Sequence, residues 1–482
     1  MRWPVVFQHV GILVFFLGLT MLVPMGVGFF YADGSARALA ESAVIAVFCG
    51  AALFAGFRKE KTDYISQREG MAIVAIGWSA IGLFGALPFY ISGLFPTFAD
   101  AFFEAVSGFT TTGASVLKEI EPVAAGLLFW RSFIQWLGGM GIIVLTIAIL
   151  PFLGVGGFQL YKAEVPSPVP DKLKPRIRDT AKTLWKVYLL FSLAEVLLLL
   201  IGGMTLYDSL CHAFTTMPTG GYSTKTLSIA HFDSLYFDLV IMVFMVLAGI
   251  NFSLHFRMLQ AKPLAYWRNP ECRFFLFTLL ILITGVSISL FGTVYSSAAD
   301  SLRYGAFQVI SILTTTGYAT ADYDQWPAVA KLVILMCMFV GASAGSTGGG
   351  MKLMRIMVCF KFCYKELFNL LHPHSVSHVK IGGKPVPDAV INGVLGFLAL
   401  YIIIFALCSV ALAAMGVDFV TSFSAVAASI GNIGPGLAMV GPTGNYADIP
   451  YFGKWLLAWL MLLGRLEIYT IIIFLVPEFW RK

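Results

Sequence analysis

The chain has 482 residues, 58% of them hydrophobic and only 12% charged, with a mean hydropathy of +0.83. Soluble domains carry roughly 45–50% apolar and about 25% charged residues, so a water-soluble globule is excluded and the bilayer must act as the solvent. The net charge of +6 is modest; no nucleic-acid partner is expected, and where the charges lie matters more than their sum.

In lipid, only helices and closed barrels satisfy every backbone polar group, and long apolar runs without alternation exclude the barrel. With about 20 apolar residues needed per crossing, candidate spans fall near 10–31, 38–57, 71–93, 124–152, 183–204, 235–258, 273–295, 327–360, 387–414 and 450–477. The first run is too long for the apolar region of a signal peptide and reads as a retained helix. Ten spans put both termini on one side. Of the 32 Lys and Arg, 24 fall in segments of that side and six (Arg37, Lys118, Lys225, Arg303, Lys331 and Lys454) in segments of the other. The positive-inside rule then predicts cytoplasmic termini in a multi-pass membrane protein. Arg131 and Arg465 remain inside spans. The opposite face carries 14 of the 26 acidic residues, an arrangement that concentrates cations at its mouth. The seven cysteines are scattered without CxxC spacing and read as core packing rather than a disulfide or zinc framework.

Beyond the first two helices, a shorter segment lies between the helices of each later pair, and these segments align on one glycine. They read Thr110-Thr111-Thr112-Gly113, Met217-Pro218-Thr219-Gly220, Thr314-Thr315-Thr316-Gly317 and Gly431-Asn432-Ile433-Gly434, with the aligned glycines 107, 97 and 117 residues apart. Asp100, Asp208, Asp300 and Asp418 open the four units. Each unit therefore predicts a helix, a re-entrant half-helix, a glycine loop and a second helix. Four loops from one chain could close one ring of backbone carbonyls, which is the device that replaces the hydration shell of K⁺. Glycine admits the unusual dihedrals that such a ring requires, and each half-helix directs its negative end towards the ion. The competing reading is that Thr and Gly only allow close helix packing.

With these motifs the sequence resembles the Trk/Ktr/HKT superfamily of K⁺ transporters, and within it the TrkH type. The resemblance is carried by Asp100–Glu104, the TTTG loops, Gln159–Glu164, Ala344–Lys352, Asn432–Gly436, Gly464–Glu467 and the terminal Pro477–Arg481, and covers essentially the whole chain. It implies an all-α membrane fold with two N-terminal helices and four helix–pore-helix–helix repeats around one central pore. The corresponding divisions are 1–68, 69–160, 161–258, 259–365 and 366–482. It also implies a homodimer with one pore per protomer, and a cytosolic nucleotide-binding regulator of the TrkA type. Residue by residue, the filter falls on Thr111, Thr112 and Gly113; Pro218, Thr219 and Gly220; Thr315, Thr316 and Gly317; and Asn432, Ile433 and Gly434. K⁺ is then the transported ion, with no organic cofactor expected in this chain.

The second helix of the third repeat is interrupted at Gly341-Ala-Ser-Ala-Gly345-Ser346-Thr347-Gly348-Gly349-Gly350. Each glycine costs about 1 kcal/mol relative to alanine in a helix, so a loop inside the membrane is expected, placed by length below the filter. A movable gate is the functional reading and a rigid kink the alternative. Arg465 reads as a fixed positive charge near the centre of the last span, lining the path, or else as a structural ion pair, with Glu195 as a candidate partner. Gly341–Gly345 also matches the GxSxG elbow, but a hydrolase needs a strand before it and a partnered His. Gly345–Lys352 is an imperfect phosphate loop. His372, His374 and His378 could suggest a metal site, and the basic linkers 162–186 and 352–384 could dock a partner or anionic lipid. The sequence therefore predicts a gated, channel-like K⁺ uptake protein and no enzyme. The alternatives are a proton- or Na⁺-coupled symporter and the translocating subunit of an ATP-driven pump.

Overall fold

The computed structural model describes residues 1–57, 66–148, 177–262, 264–375 and 377–480. The Gln159–Glu164 motif, Arg481 and most of the basic linker 162–186 lie outside these residues. The helices, in chain order, are α1 (Trp3–Thr20), α2 (Leu22–Tyr31), α3 (Ser35–Gly56), α4 (Gln67–Gly85), α5 (Leu87–Ile91), α6 (Phe98–Phe109), α7 (Ala125–Ala148), α8 (Ile177–Ile201), α9 (Leu206–Thr216), α10 (Leu235–Gly249), α11 (Phe252–Leu259), α12 (Ala265–Arg268), α13 (Pro270–Leu290), α14 (Ala298–Leu313), α15 (Ala328–Val340), α16 (Leu353–Leu371), α17 (Asp388–Ala414), α18 (Phe419–Gly431), α19 (Tyr451–Arg465), α20 (Ile468–Ile472) and α21 (Pro477–Trp480).

The first apolar run is helical from Trp3 rather than from residue 10. α1 packs along α3, and Gly50 allows it: a Cβ there would lie 2.4 Å from the backbone nitrogen of Phe15. Close backbone approach through small residues is the usual route to association in lipid, where apolar burial alone gives no preference between helix and acyl chain. α4 starts where the sequence says it should, on a capping box: Ser66 accepts from Glu69 N while Ser66 N donates to the Glu69 carboxylate. The same carboxylate binds Arg2 at 2.9 Å, fastening the N-terminus to the first repeat. Outward-facing side chains such as Phe48, Ile288 and Val410 are about seven-tenths exposed, which suits a lipid-facing wall.

α6, α9, α14 and α18 are the four half-helices. They have 12, 11, 16 and 13 residues, or about 17–24 Å at 1.5 Å per residue, too short to cross. Polar N-caps begin each one. Thr97, Thr205 and Ser297 accept from the backbone of Asp100, Asp208 and Asp300, and Asp418 accepts directly from Thr421 N. The four aspartates thus add negative charge at the positive helix ends. The half-helices sit at the centre of the molecule; every α6 residue from Ala99 to Phe109 is buried.

Two expected spans are not single helices. The run at 235–258 turns by 104° between α10 and α11, and the run at 450–477 turns by 116° after Arg465. In the first, Asn251 starts a new helix by accepting from Ser253 N at 2.9 Å. In the second, Glu467 takes a left-handed φ of +62°. The interruption after α15 is present as expected, so among the described residues second helices are broken after Gly249, Val340 and Arg465. After α16, Lys380–Ile381 and Lys384–Pro385 form a short antiparallel hairpin turned by Gly382 and Gly383, both at positive φ. Among the described residues no group of three or more His, Cys, Asp or Glu is placed to hold a metal ion, so His372, His374 and His378 form no such site.

Candidate ion-conducting site

The four loops follow the same backbone course. Thr111, Thr219, Thr315 and Asn432 have φ of +52°, +59°, +62° and +54°, and two residues later Gly113, Gly221, Gly317 and Gly434 have φ of +82°, +71°, +83° and +98°. Between them, the N–H groups of Thr112, Gly220, Thr316 and Ile433 each donate back into the preceding half-helix, to Ser107, Thr215, Ser311 and Ala428, at 2.8–2.9 Å. Tying these N–H groups to the helices leaves the opposite face of each loop to its carbonyls.

This pattern corrects the register of the second loop by one residue. The counterpart of Gly113, Gly317 and Gly434 is Gly221; Gly220 stands with Thr112, Thr316 and Ile433. Pro218 accordingly stands with Thr110 and Thr314 at the end of the half-helix, where its missing N–H costs one helical bond. Its carbonyl accepts from Thr219 Oγ1 at 2.5 Å. The remaining expected filter residues occupy equivalent places in their loops.

The loops meet in sequence. A Cβ on Gly113 would lie 2.1 Å from Gly220 O, one on Gly221 1.9 Å from Thr316 O, one on Gly317 2.0 Å from Ile433 O, and one on Gly434 2.7 Å from Thr112 O. The first loop touches the second, the second the third, the third the fourth and the fourth the first: a closed ring. No side chain fits between neighbouring loops, which requires glycine at the contact as well as at the positive φ.

Several buried residues brace the ring, and the sequence reading missed them. Gln135 Nε2 donates to Gly220 O at 2.8 Å, and Tyr446 donates its hydroxyl to Gly434 O at 2.7 Å. Tyr222 donates to Glu104 O and Ala114 O, while Tyr318 shares a 2.5 Å hydrogen bond with Thr215 Oγ1. Glu104 and Arg131 form a buried pair at 2.6 Å, and Arg131 lies 3.5 Å over the Tyr222 ring. Arg131 is thus a structural cation inside its span, and it also donates to Ser223 O. Tyr222 and Tyr318 were findable, since each directly follows a ring glycine in sequence.

Beneath the ring lies the segment 341–352. Thr347 Oγ1 donates to Met217 O at 2.9 Å, Gly349 N to Thr315 Oγ1 at 2.7 Å, and Gly350 N to Gly431 O at 2.9 Å. Ala344 N donates to the Glu271 carboxylate at 2.6 Å, and Lys352 Nζ donates to Gly348 O. The element before Gly341 is helix α15, not the strand that a nucleophile elbow needs. Gly345, Ser346, Thr347, Gly348, Gly349 and Gly350 are therefore packed under repeats two to four. Arg465 is at the last residue of α19, immediately before the bend, rather than near the middle of a continuous span. Its Nη1 donates to Thr347 O at 2.7 Å, and among the described residues it forms no ion pair. Glu195 is fully buried, and neither of its carboxylate oxygens has a hydrogen-bond partner. Glu467 pairs instead with Arg355 at 2.5 Å.

Residues 35–482 match the TrkH family, described as a cation transport protein. The chain is 42% identical over 489 residues to the Trk system potassium uptake protein TrkH of Escherichia coli K12, with 100% of both chains covered. It is 41% identical over 482 residues to TrkH of Halomonas elongata, with 99% of each covered. To the Trk system potassium uptake protein TrkG of Escherichia coli K12 it is 37% identical over 483 residues, again with 99% of each covered. The crystal structure of the potassium transporter TrkH from Vibrio parahaemolyticus covers 100% of both chains with a TM-score of 0.92 and 38% identity. With its ring of four loops and its match across nearly the full length, the chain belongs to the TrkH family of cation transport proteins.

Proposed function

We propose that this chain takes up K⁺ across the bacterial inner membrane through one gated pore whose filter is the ring of four glycine loops. The closed succession of contacts from Gly113 round to Gly434 carries this reading. Irregular backbone at membrane depth is tolerated only where it is buried or lines an aqueous path. Here four such segments stand at the C-terminal ends of four half-helices, where the dipole favours a cation. In this reading the filter residues are Thr111–Gly113, Thr219–Gly221, Thr315–Gly317 and Asn432–Gly434, with both termini cytoplasmic. The repeat divisions at 69–160, 161–258, 259–365 and 366–482 belong to the same reading. A homodimer and a TrkA-type cytosolic regulator are supported by the family relationship.

The segment 341–352 acts as the gate and Arg465 as the barrier. Replacing Arg465 with alanine removes a positive charge bound to the gate carbonyl, and single-channel K⁺ conductance is expected to rise about 2- to 5-fold. Recovery of the variant in the membrane at wild-type yield accompanies that outcome; loss of the protein would make Arg465 a packing residue instead.

A proton-coupled carrier is the second reading, favoured by the unpartnered Glu195 carboxyl, since buried acids on a path mark proton relays. Purified chain in K⁺-loaded vesicles separates the two. Flux that follows the K⁺ gradient alone, unchanged by an imposed pH gradient, supports the channel. A requirement for the pH gradient, lost in Glu195→Gln, supports the carrier.

A further inference from the structure

Away from the ring, on the outer wall of the third repeat, two cations are not spent on the protein. Where α12, α13, α16 and the 380–385 hairpin meet, an open cleft of about 790 Å³ is walled by Phe277, Leu280, Met357 and Ile381, with Trp267 beside them. Such a volume lies within the roughly 300–1,000 Å³ usual for ligand sites. Arg273 and Lys361 line the same cleft. Both are exposed, and neither side chain has an ion-pair or hydrogen-bond partner among the described residues. The acid nearest to Arg273 in sequence, Glu271, is buried and accepts from Ala344 N.

Helix geometry sorts these residues by depth. α13 is an apolar span of 21 residues whose first turn belongs to the side that carries 24 of the 32 Lys and Arg. Arg273, Phe277 and Leu280 stand at i, i+4 and i+7, on one face of it. The guanidinium is thus at the membrane boundary, and the two apolar side chains lie about 6 and 10 Å deeper. Met357 and Lys361, at i and i+4 on α16, repeat the order, because α16 runs from the segment beneath the ring towards the basic linker. Trp267, largely exposed, marks the rim, as tryptophan does at membrane–water interfaces. Gly382 and Gly383 add no side chain to the cleft; a Cβ on Gly382 would lie 3.3 Å from Pro270 Cγ.

We infer that this cleft holds one anionic phospholipid, with its phosphate between Arg273 and Lys361 and an acyl chain along Phe277, Leu280 and Met357. Charge complementarity selects that occupant: two unpaired cations at the membrane boundary head an apolar channel that continues into the hydrocarbon layer. Lys and Arg lay their methylene stems on apolar surface while the charged ends stay in water. Basic pockets between helices at the positively charged face bind anionic head groups. A zwitterionic lipid offers the same chain but brings its own cation, and free phosphate offers the charge without the chain. Bound there, the lipid bridges α13 to α16. The site is on the protein's lipid-facing wall and does not depend on which ion permeates, or on the pore reading.

Native mass spectrometry of the delipidated full-length protein tests it, with dioleoyl phosphatidylglycerol, dioleoyl phosphatidylcholine or inorganic phosphate titrated in. One phosphatidylglycerol per protomer is expected to bind, at concentrations about tenfold below those needed for phosphatidylcholine. In Arg273→Gln/Lys361→Gln its affinity should fall about 10- to 30-fold. Arg273→Lys/Lys361→Arg keeps both charges and should stay within about threefold of wild type. Arg268→Gln/Lys380→Gln removes the same charge from exposed positions outside the cleft, and should stay within about twofold. Equal retention of the two lipids overturns the inference, as does an equal loss in the cleft and control variants. Phosphate that displaces the lipid at equal concentration makes the cations an anion site without a chain, and overturns it too. Loss of a dimer mass, rather than of bound lipid, in the Gln variant of the cleft hands this face to a second copy of the chain and likewise overturns it.

Discussion

Excising Gly345–Gly349 from the full chain is expected to raise basal K⁺ flux into reconstituted vesicles about a hundredfold. The excised residues make three polar contacts in the closed state, Thr347 Oγ1 with Met217 O, Gly349 N with Thr315 Oγ1 and Arg465 Nη1 with Thr347 O, and shortening the segment also draws Gly350 N off Gly431 O. At a net of about 1 kcal/mol each, less what water returns to the freed carbonyls, roughly 3 kcal/mol of closed-state bias disappears. Every 1.4 kcal/mol is about a factor of ten. The seven residues that remain between α15 and α16 still span the break, so the ring above keeps its own braces, among them Gln135 and Tyr446. Isotope flux through the deletion variant is the measurement, and a rise of less than about threefold would leave the segment a kink without a gating role.

Gly317→Ala should have the opposite effect. The methyl group would lie 2.0 Å from Ile433 O and 2.8 Å from Pro435 Cδ, at a φ of +83°. The left-handed conformation alone costs about 1–2 kcal/mol for an L-residue with a Cβ. The contact adds more, because both neighbours are main-chain or ring atoms that cannot rotate away. The displaced group is a carbonyl of the next loop, so two quadrants are distorted together. K⁺ flux is expected to fall at least about tenfold, with a larger Na⁺ share of what remains, while the protein still inserts. Gly416→Ala is the control. It also has positive φ, +92°, but nothing lies within 4 Å of its Cβ position, so it carries conformational strain without the contact and should retain flux. A Gly317→Ala protein with wild-type K⁺ flux and selectivity would sink the ring as the filter.

The repeated plan was legible because its markers are local. Hydroxyl or aspartate caps, short apolar half-helices and glycine loops recur at near-constant spacing, and the structure places all four caps at half-helix N-termini. The register of the second loop was not legible. Thr219-Gly220-Gly221 offers two glycines, and alignment on the first ignores that the backbone needs left-handed residues two apart, at Thr219 and Gly221. Counted from the capping aspartate, Gly221 follows Asp208 by 13 residues as Gly113 follows Asp100, a match that alignment on the first glycine overlooked. The bends after Gly249 and Arg465 were hidden by hydropathy, because apolar side chains continue through both. What marks them is Asn251 as a cap and Glu467 at positive φ. Braces such as Gln135 and Lys454 joined partners far away in sequence; Lys454 binds Asp100 across 354 positions. Such pairings leave no periodic trace along the chain.

All four walls of the ring are written in one polypeptide, and they are not all alike: Thr112, Gly220, Thr316 and Ile433 occupy one level of it. In an assembly of four identical subunits, one codon change alters every quadrant together, and a mild lesion is compounded fourfold. Here each substitution is experienced once. Conduction in such a protein can be adjusted in small steps, one quarter at a time, and a damaged quarter can in principle be compensated by a change in the one facing it.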